Sequence, residues 1–511
     1  MTTPDDQVAA WLAEYGSPTA NAAAILCDLH PPDAPAFTIV EADMSAQVLS
    51  YGELADRSKR LAAVLQGHGV TVRDRVAVLM GKRADLIVTL LALWRLGAVQ
   101  VPLFTAFATG AIQQRAEAAR AKLIITEHSQ RAKVEAIDGV EAHDVDDLMA
   151  EADNRAPLSE SVAVGGDGVI IQHYTSGTTG KPKGVPVPLQ ALANFRSYLH
   201  YTLDVRSDDV YWCSADPGWA YGLFFAIVGP MLLGQPGILF NSGFTPESTF
   251  AVLREFGVTN FTGAPTMFRA MRLHPEEQHV TLRCASSAGE PLTPDIIEWA
   301  RDALGTDVRD TYGQTEIGIV ISNHWNPDVA KPIRPGSIGQ PMPGIAAGIV
   351  DGQIAIDVAH SPLLWFRGYH ENPEKTAERF SADGAWYLTA DLGYVDEDCY
   401  FYFTARDDDL IMAAGYRIGP YDVESVMQTH PAVAEVAVVG RPDPEGIRGE
   451  VVTAFVVPRP GVETGPELER ELQAHVRDNY SKHAYPRAVH FVYALPKTPT
   501  GKVQRYLLKQ Q

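Results

Sequence analysis

Apolar positions recur at helical spacing over residues 51–67, where Leu54, Leu61 and Leu65 share one face, and again over residues 84–96. Short apolar runs at 75–80 and 98–103 separate these stretches and read as buried strands, as do 169–174, 258–263 and 281–286. Helix and strand patterns in alternation predict parallel sheets covered by helices. Near Pro341 the pattern changes. Residues 346–356 read as two short strands around Asp351-Gly352, a tight hairpin that opens a small β-rich region reaching about residue 403. The run Arg406-Asp407-Asp408-Asp409 reads as a linker. An α+β pattern follows it, with helices over 421–429 and 466–479 and strands over 433–439, 451–457 and 488–492. The expected architecture is α/β. A large N-terminal domain, 1–407, holds helix-covered β-sheets and the β-rich subdomain, and a small α+β domain, 408–511, follows.

A chain of 511 residues exceeds one ordinary core, which agrees with that division. The formal net charge of −21 repels nucleic acid and anionic lipid, so neither is an expected partner, and any anionic ligand needs a local cluster of cations and N–H groups. Cys27, Cys213, Cys284 and Cys399 lie far apart, without a CxxC pair or Cys/His cluster. That argues against zinc and a disulfide framework and fits a reducing compartment. Residues 1–7 show no basic-then-apolar pattern, so no signal peptide is expected. The most apolar stretch, 86–107, is interrupted by Arg95, Gly97, Gln100 and Pro102 and reads as a buried helix and strand, not a membrane span. The expected location is the cytoplasm.

The loop that a polyphosphate would need lies at residues 174–184, Tyr-Thr-Ser-Gly-Thr-Thr-Gly-Lys-Pro-Lys-Gly, directly after an apolar strand. Its glycines let backbone N–H groups approach an anion, its hydroxyls donate hydrogen bonds, and Lys181 and Lys183 supply charge. It is not a Walker A loop: Pro182 stands where Ser or Thr is required, and Thr175 where the first Gly should be. Glycine and hydroxyl alone would describe a plain surface loop; two lysines on an acidic chain, after a buried strand, weigh against that.

This loop resembles the signature of the adenylate-forming superfamily of acyl-CoA synthetases, adenylation domains and firefly luciferase, most closely the acyl-CoA synthetases. Further matches follow in order through Lys502, so the resemblance covers nearly the whole chain. It implies that Thr175, Ser176, Gly177, Thr178, Thr179 and Lys183 hold the ATP phosphates, with Thr178 counted among the catalytic groups. In the segment 287–291, Gly289, Glu290 and Pro291 would line the adenine. In the segment 310–316, Asp310 belongs to the nucleotide site, Tyr312 would pack on the base, Thr315 would contact phosphate and Glu316 would bind Mg²⁺, which takes one or two carboxylates plus phosphate oxygens. Asp391 in the segment 387–393 would accept from the ribose hydroxyls, with Arg406 and Arg417 on ribose and phosphate. Ala390 and Ala405 stand where the family usually has Gly. Asp408 matches the hinge about which the C-terminal domain moves. Lys502, in the segment 496–502, would stabilise charge between the acid carboxylate and the α-phosphate.

The implied reaction uses MgATP to turn a carboxylic acid into acyl-AMP and pyrophosphate, then transfers the acyl group to coenzyme A. It needs no side-chain nucleophile, so catalysis is positioning and electrostatics. Gly415 and Tyr416 would line the thiol channel, with Arg477 near the CoA phosphates. The position of Gly313 carries a Trp that closes the acyl pocket in acetyl-CoA synthetases. Hydrogen in place of an indole is expected to open volume, so an acid larger than acetate is expected, with Trp219 and Phe261 as pocket walls. Both could equally be core aromatics. An acyl-AMP ligase that loads a carrier protein is the alternative within enzymes; residues 482–487 and 415–417 look more like those of CoA ligases. A non-catalytic binder of nucleotide or acyl-adenylate is the alternative outside them, against which Lys502, Glu316 and Asp391 stand intact.

Overall fold

The computed structural model describes residues 3–135, 137, 139–176, 182–274, 279–406, 409–413, 416–443, 450–497 and 503–510, apart from the side chains of Ser176, Tyr416 and Arg417. Two large sheets dominate. The first has nine strands, in the order Gln340–Pro341, Gly318–Ser322, Val308–Gln314, Cys284–Ala288, Asn260–Gly263, Tyr211–Cys213, Gly237–Phe240, Pro35–Val40 and Ala46–Ser50. Its central pairings are parallel and those at its two edges antiparallel. The second has six strands, Glu141–Asp144, Leu123–Thr126, Arg75–Leu79, Val99–Pro102, Val169–Ser176 and Pro182–Pro188, parallel except for the last. An antiparallel four-stranded sheet follows, Ala347–Val350, Gln353–Asp357, Trp386–Val395 and Phe401–Arg406. The C-terminal α+β domain packs helices Pro420–Gln428 and Pro466–Asn479 with the strands Val433–Pro442, Glu450–Pro458 and Ala488–Phe491.

Local chemistry accounts for the elements that frame the site. Helix Tyr51–Gly67 starts at Ser50, whose hydroxyl and Glu53 form a capping box. Helix Ala84–Arg95 is buried on nearly every face, as its largely apolar sequence requires. Its last residue, Arg95, is fully buried and is tolerated because both terminal nitrogens reach Asp28 at 2.8 Å and Nε reaches Ser58.

Strand limits follow partners more than composition. The strand expected over 281–286 runs Cys284–Ala288, because its parallel register begins at Cys284 opposite Asn260. The strand expected to stop at Tyr174 continues to Ser176, because it pairs with the returning Pro182–Pro188 and sets Thr175 opposite Lys183. All four thiols are free, with only Cys399 exposed. No helix among the described residues is long and apolar enough to cross a membrane.

Candidate active site

Side chains from both large sheets and the four-stranded sheet converge near the ends of the parallel strands, the usual place for ligands in such sheets. The antiparallel pair Val169–Ser176 and Pro182–Pro188 fixes the two ends of the glycine-rich loop. The Thr175 hydroxyl is buried there without a hydrogen-bond partner among the described residues. Gly177, Thr178 and Thr179 lie outside the described residues, as does the Ser176 side chain. Lys183 is half-buried; its Nζ stands 3.5 Å from the Tyr369 hydroxyl and 4.7 Å from the centre of that ring. Burial, and then the neighbouring Arg379, lower its pKa.

Tyr369 is a hub that sequence reasoning missed. Its hydroxyl donates to Glu316 Oε1 at 2.7 Å and accepts from Arg379 Nε at 2.9 Å. Glu316 is buried, and this phenol holds one of its oxygens. Among the described residues no group of three acidic or imidazole side chains could cage a metal ion. A single buried carboxylate, joined through Tyr369 to Lys183, nevertheless fits the donor set that Mg²⁺ uses with a polyphosphate.

A second cluster adjoins the first. Asp391 Oδ2 accepts from the Tyr312 hydroxyl and from Gln314 Nε2, each at 2.6 Å, and Arg406 Nη1 stands 3.6 Å from Oδ1. Burial raises the Asp391 pKa, although Arg406 and the two hydrogen bonds oppose this. The Thr389 carbonyl accepts from both Gln314 and Arg379 and so ties the two clusters together. Gln314, Arg379 and Tyr387, whose hydroxyl donates to Gln314 Oε1, complete the missed residues. Gln314 lies inside the segment 310–316 and Tyr387 inside 387–393, and both could have been found there; Tyr369 and Arg379 gave no local signal. Ala390 adopts φ +59°, the left-handed conformation for which glycine is best suited.

Gly289 has φ +98° and opens an exposed turn. Beside it, Glu290 takes hydrogen bonds from Thr266 at 2.9 Å and from Arg269 at 2.5 Å, and Pro291 is half-buried. Asp310 is buried and accepts from the N–H groups of Leu292 and Thr311 at 3.2 and 3.0 Å. Burial pushes its carboxyl up to about 7. Thr315 is half-buried in the same segment.

The acyl-pocket expectations need correction at two positions. Phe261 is fully buried, with its ring between Trp212 and Phe268 at 5.1 and 5.6 Å, and is a core side chain instead of a pocket wall. Gly313 does not face a void: a Cβ there would strike the carbonyl oxygen of Gly318 and lie 2.7 Å from the Ile319 Cα. The glycine permits close approach of strand Gly318–Ser322, with which it pairs, so the absent side chain frees no volume at its first atom. Trp219 is half-buried, with ring centres of Phe104 and Phe107 at 5.2 and 5.6 Å, and its buried indole Nε1 has no partner among the described residues.

In the C-terminal domain, Asp408, Gly415 and Lys502 lie outside the described residues, and so do the Tyr416 and Arg417 side chains. The backbone of Tyr416–Ile418 pairs with Ile411–Ala413. A bridge between Lys497 and Val503 closes the base of the segment that carries Lys502. Arg477 is exposed and pairs with its neighbour Asp478 at 2.9 Å, so the structure does not bring it to the clusters described above.

Comparison with known proteins bears on the family and the fold. The family model described as AMP-binding enzyme matches residues 27–368, and that described as AMP-binding enzyme C-terminal domain matches 422–502. An acetyl-coenzyme A synthetase of Bacillus subtilis is 35% identical over 494 residues, covering 90% of this chain and 84% of its own. The mitochondrial acyl-coenzyme A synthetase ACSM3 of Mus musculus is 33% identical over 509 residues, covering 93% and 86%. Among solved structures, an acyl-CoA synthetase of Brucella canis is 40% identical with a TM-score of 0.78, covering 100% of this chain and 99% of its own. A benzoate CoA ligase of Burkholderia xenovorans is 28% identical with a TM-score of 0.85, covering 96% and 99%.

Proposed function

The chain belongs to the AMP-binding enzyme family and is an ATP-dependent, AMP-forming acyl-CoA synthetase using Mg²⁺ and coenzyme A, and we propose that its acid is larger than acetate and lies against Trp219. The observation that carries this reading is the Trp219 indole, half-buried beside Phe104 and Phe107, with its N–H unpaired among the described residues. An aromatic wall with a buried donor that no described residue satisfies suits an acid with an apolar body.

In this reading Thr175 and Lys183, with Ser176, Gly177, Thr178 and Thr179, hold the phosphates. Asp391 and Arg406 orient the ribose, and Arg417 serves ribose or phosphate. Gly289, Glu290, Pro291, Asp310 and Tyr312 form the nucleotide site, and Thr315 faces phosphate. Glu316 would hold Mg²⁺, which supplies charge neutralisation on the phosphate oxygens when bound. Lys502 supplies a cation during acyl-AMP formation, and Gly415 and Tyr416 line the path of the thiol. The domains divide at 407/408, and Asp408 is the pivot.

Acid-dependent ATP–pyrophosphate exchange over acetate, butyrate, octanoate and benzoate tests the size assignment. Exchange with one of the larger acids and little with acetate is expected. Fastest exchange with acetate would overturn the size assignment and align the chain with the Bacillus subtilis relative. Exchange with no acid would count against the assignments of Lys502 and Glu316.

A further inference from the structure

Leu292 follows the turn 289–291, and both of its backbone groups are committed. Its N–H donates to Asp310 Oδ2 at 3.2 Å, and its carbonyl accepts from the Tyr421 hydroxyl at 3.1 Å. Asp310 belongs to strand Val308–Gln314 of the nine-stranded sheet, whereas Tyr421 belongs to helix Pro420–Gln428 of the C-terminal domain. One residue beside the turn is thus gripped from both domains. The Tyr421 ring also approaches Phe403 of the four-stranded sheet, at 6.3 Å between centres. Burial pushes its phenol well above the ordinary range, and a hydroxyl in such a place needs an acceptor.

The same helix carries a second tie. Both Glu424 oxygens accept from Arg505, at 2.7 and 2.8 Å, and Arg505 Nη1 stands 3.7 Å from Asp409. Arg505 lies just beyond the bridge at Val503 that closes the Lys502 segment. The helix seated on Leu292 is therefore the helix that anchors the end of that segment. Glu424 and Arg505 both belong to the C-terminal domain and would travel together. The Tyr421–Leu292 bond crosses between domains and would break on rotation.

We propose that Tyr421 is a positioning residue that holds the C-terminal domain against the turn 289–292 in the arrangement that makes acyl-AMP, and lets go before the thioester forms. This rests on the reading above, in which the C-terminal domain pivots at Asp408 and brings Lys502 to acyl-AMP formation and Gly415 and Tyr416 to the thiol's path. Tyr421→Phe keeps the ring and removes the hydroxyl, and with it the bond to Leu292 across the domains.

The variant should slow ATP–pyrophosphate exchange about two- to tenfold, the range that one neutral hydrogen bond spans. Thioester formation from CoA and supplied butyryl-AMP or benzoyl-AMP, whichever acid supports exchange, should be unchanged or faster. Amide hydrogen exchange of the full chain without substrate should accelerate in peptides that span residues 288–294 and 420–428, because the closed arrangement is left more often. Equal loss in both half-reactions would make Tyr421 a merely structural residue and overturn the proposal, as would unchanged amide exchange at both faces. If the parent protein exchanged pyrophosphate with no acid, the functional reading would fail while the amide-exchange comparison still decided the contact.

Discussion

Tyr369 orders three charged side chains of the site through one phenol: it donates to Glu316, accepts from Arg379 and underlies the Lys183 ammonium. Removing its oxygen would leave a buried carboxylate short of a donor, a loss of about 1–3 kcal/mol. Tyr369→Phe is therefore expected to raise the Mg²⁺ concentration that half-saturates pyrophosphate exchange by roughly tenfold, because Glu316 is no longer held in one orientation. A magnesium titration of the exchange rate checks this. A fall in rate with unchanged magnesium dependence would assign the phenol to the fold alone. Lys183, Glu316 and Asp391 each sit in a contiguous, recognisable segment and so could be singled out from sequence. Tyr369 could not, since it stands 53 residues from Glu316 and 186 from Lys183 and its role exists only where the chain folds back.

Elements whose limits come from their own residues were legible; those set by a neighbour were not. Helix Tyr51–Gly67 has the bounds expected from periodicity because Ser50 and Glu53 cap it locally. Strand Cys284–Ala288 starts later than its apolar run suggests because Asn260 sets its register. Gly313 is the sharper case. Its lack of a side chain suggested open space, but the space belongs to the neighbouring strand, whose backbone a Cβ would meet. Gly313→Ala should lower stability by about 1–3 kcal/mol, the usual cost of overpacking, while leaving the ratio of exchange rates between acetate and benzoate unchanged. Thermal unfolding and the acid panel measure the two quantities together. A shift of the ratio toward acetate with no loss of stability would mean that the strand yields and that the position does border the acyl pocket.

At the scale of the whole molecule, the placement of the C-terminal domain decides, in the proposed reading, which half-reaction the site performs. The site clusters come from the large sheets and the four-stranded sheet, but the segment ending in Lys502 belongs to the C-terminal domain, whose helix Pro420–Gln428 rests on Leu292. A cation supplied by a separate body serves one half-reaction and can be withdrawn for the other. The surrounding acidity adds to its value, since 63 acidic residues outnumber 42 Lys and Arg on a chain that must hold a polyphosphate. Lys502→Ala should therefore reduce pyrophosphate exchange by about 10²–10³-fold, the cost of removing one preorganised donor at developing charge. Conversion of supplied acyl-AMP and CoA to thioester, where no pyrophosphate leaves, should change little. Measuring both half-reactions on one preparation, with Lys502→Arg as the charge-preserving control, separates lost charge from lost structure. Equal loss in both would place Lys502 in the fold of the C-terminal domain and return the question of the catalytic cation to Lys183, Arg379 and Arg406, whose side chains lie at the two clusters.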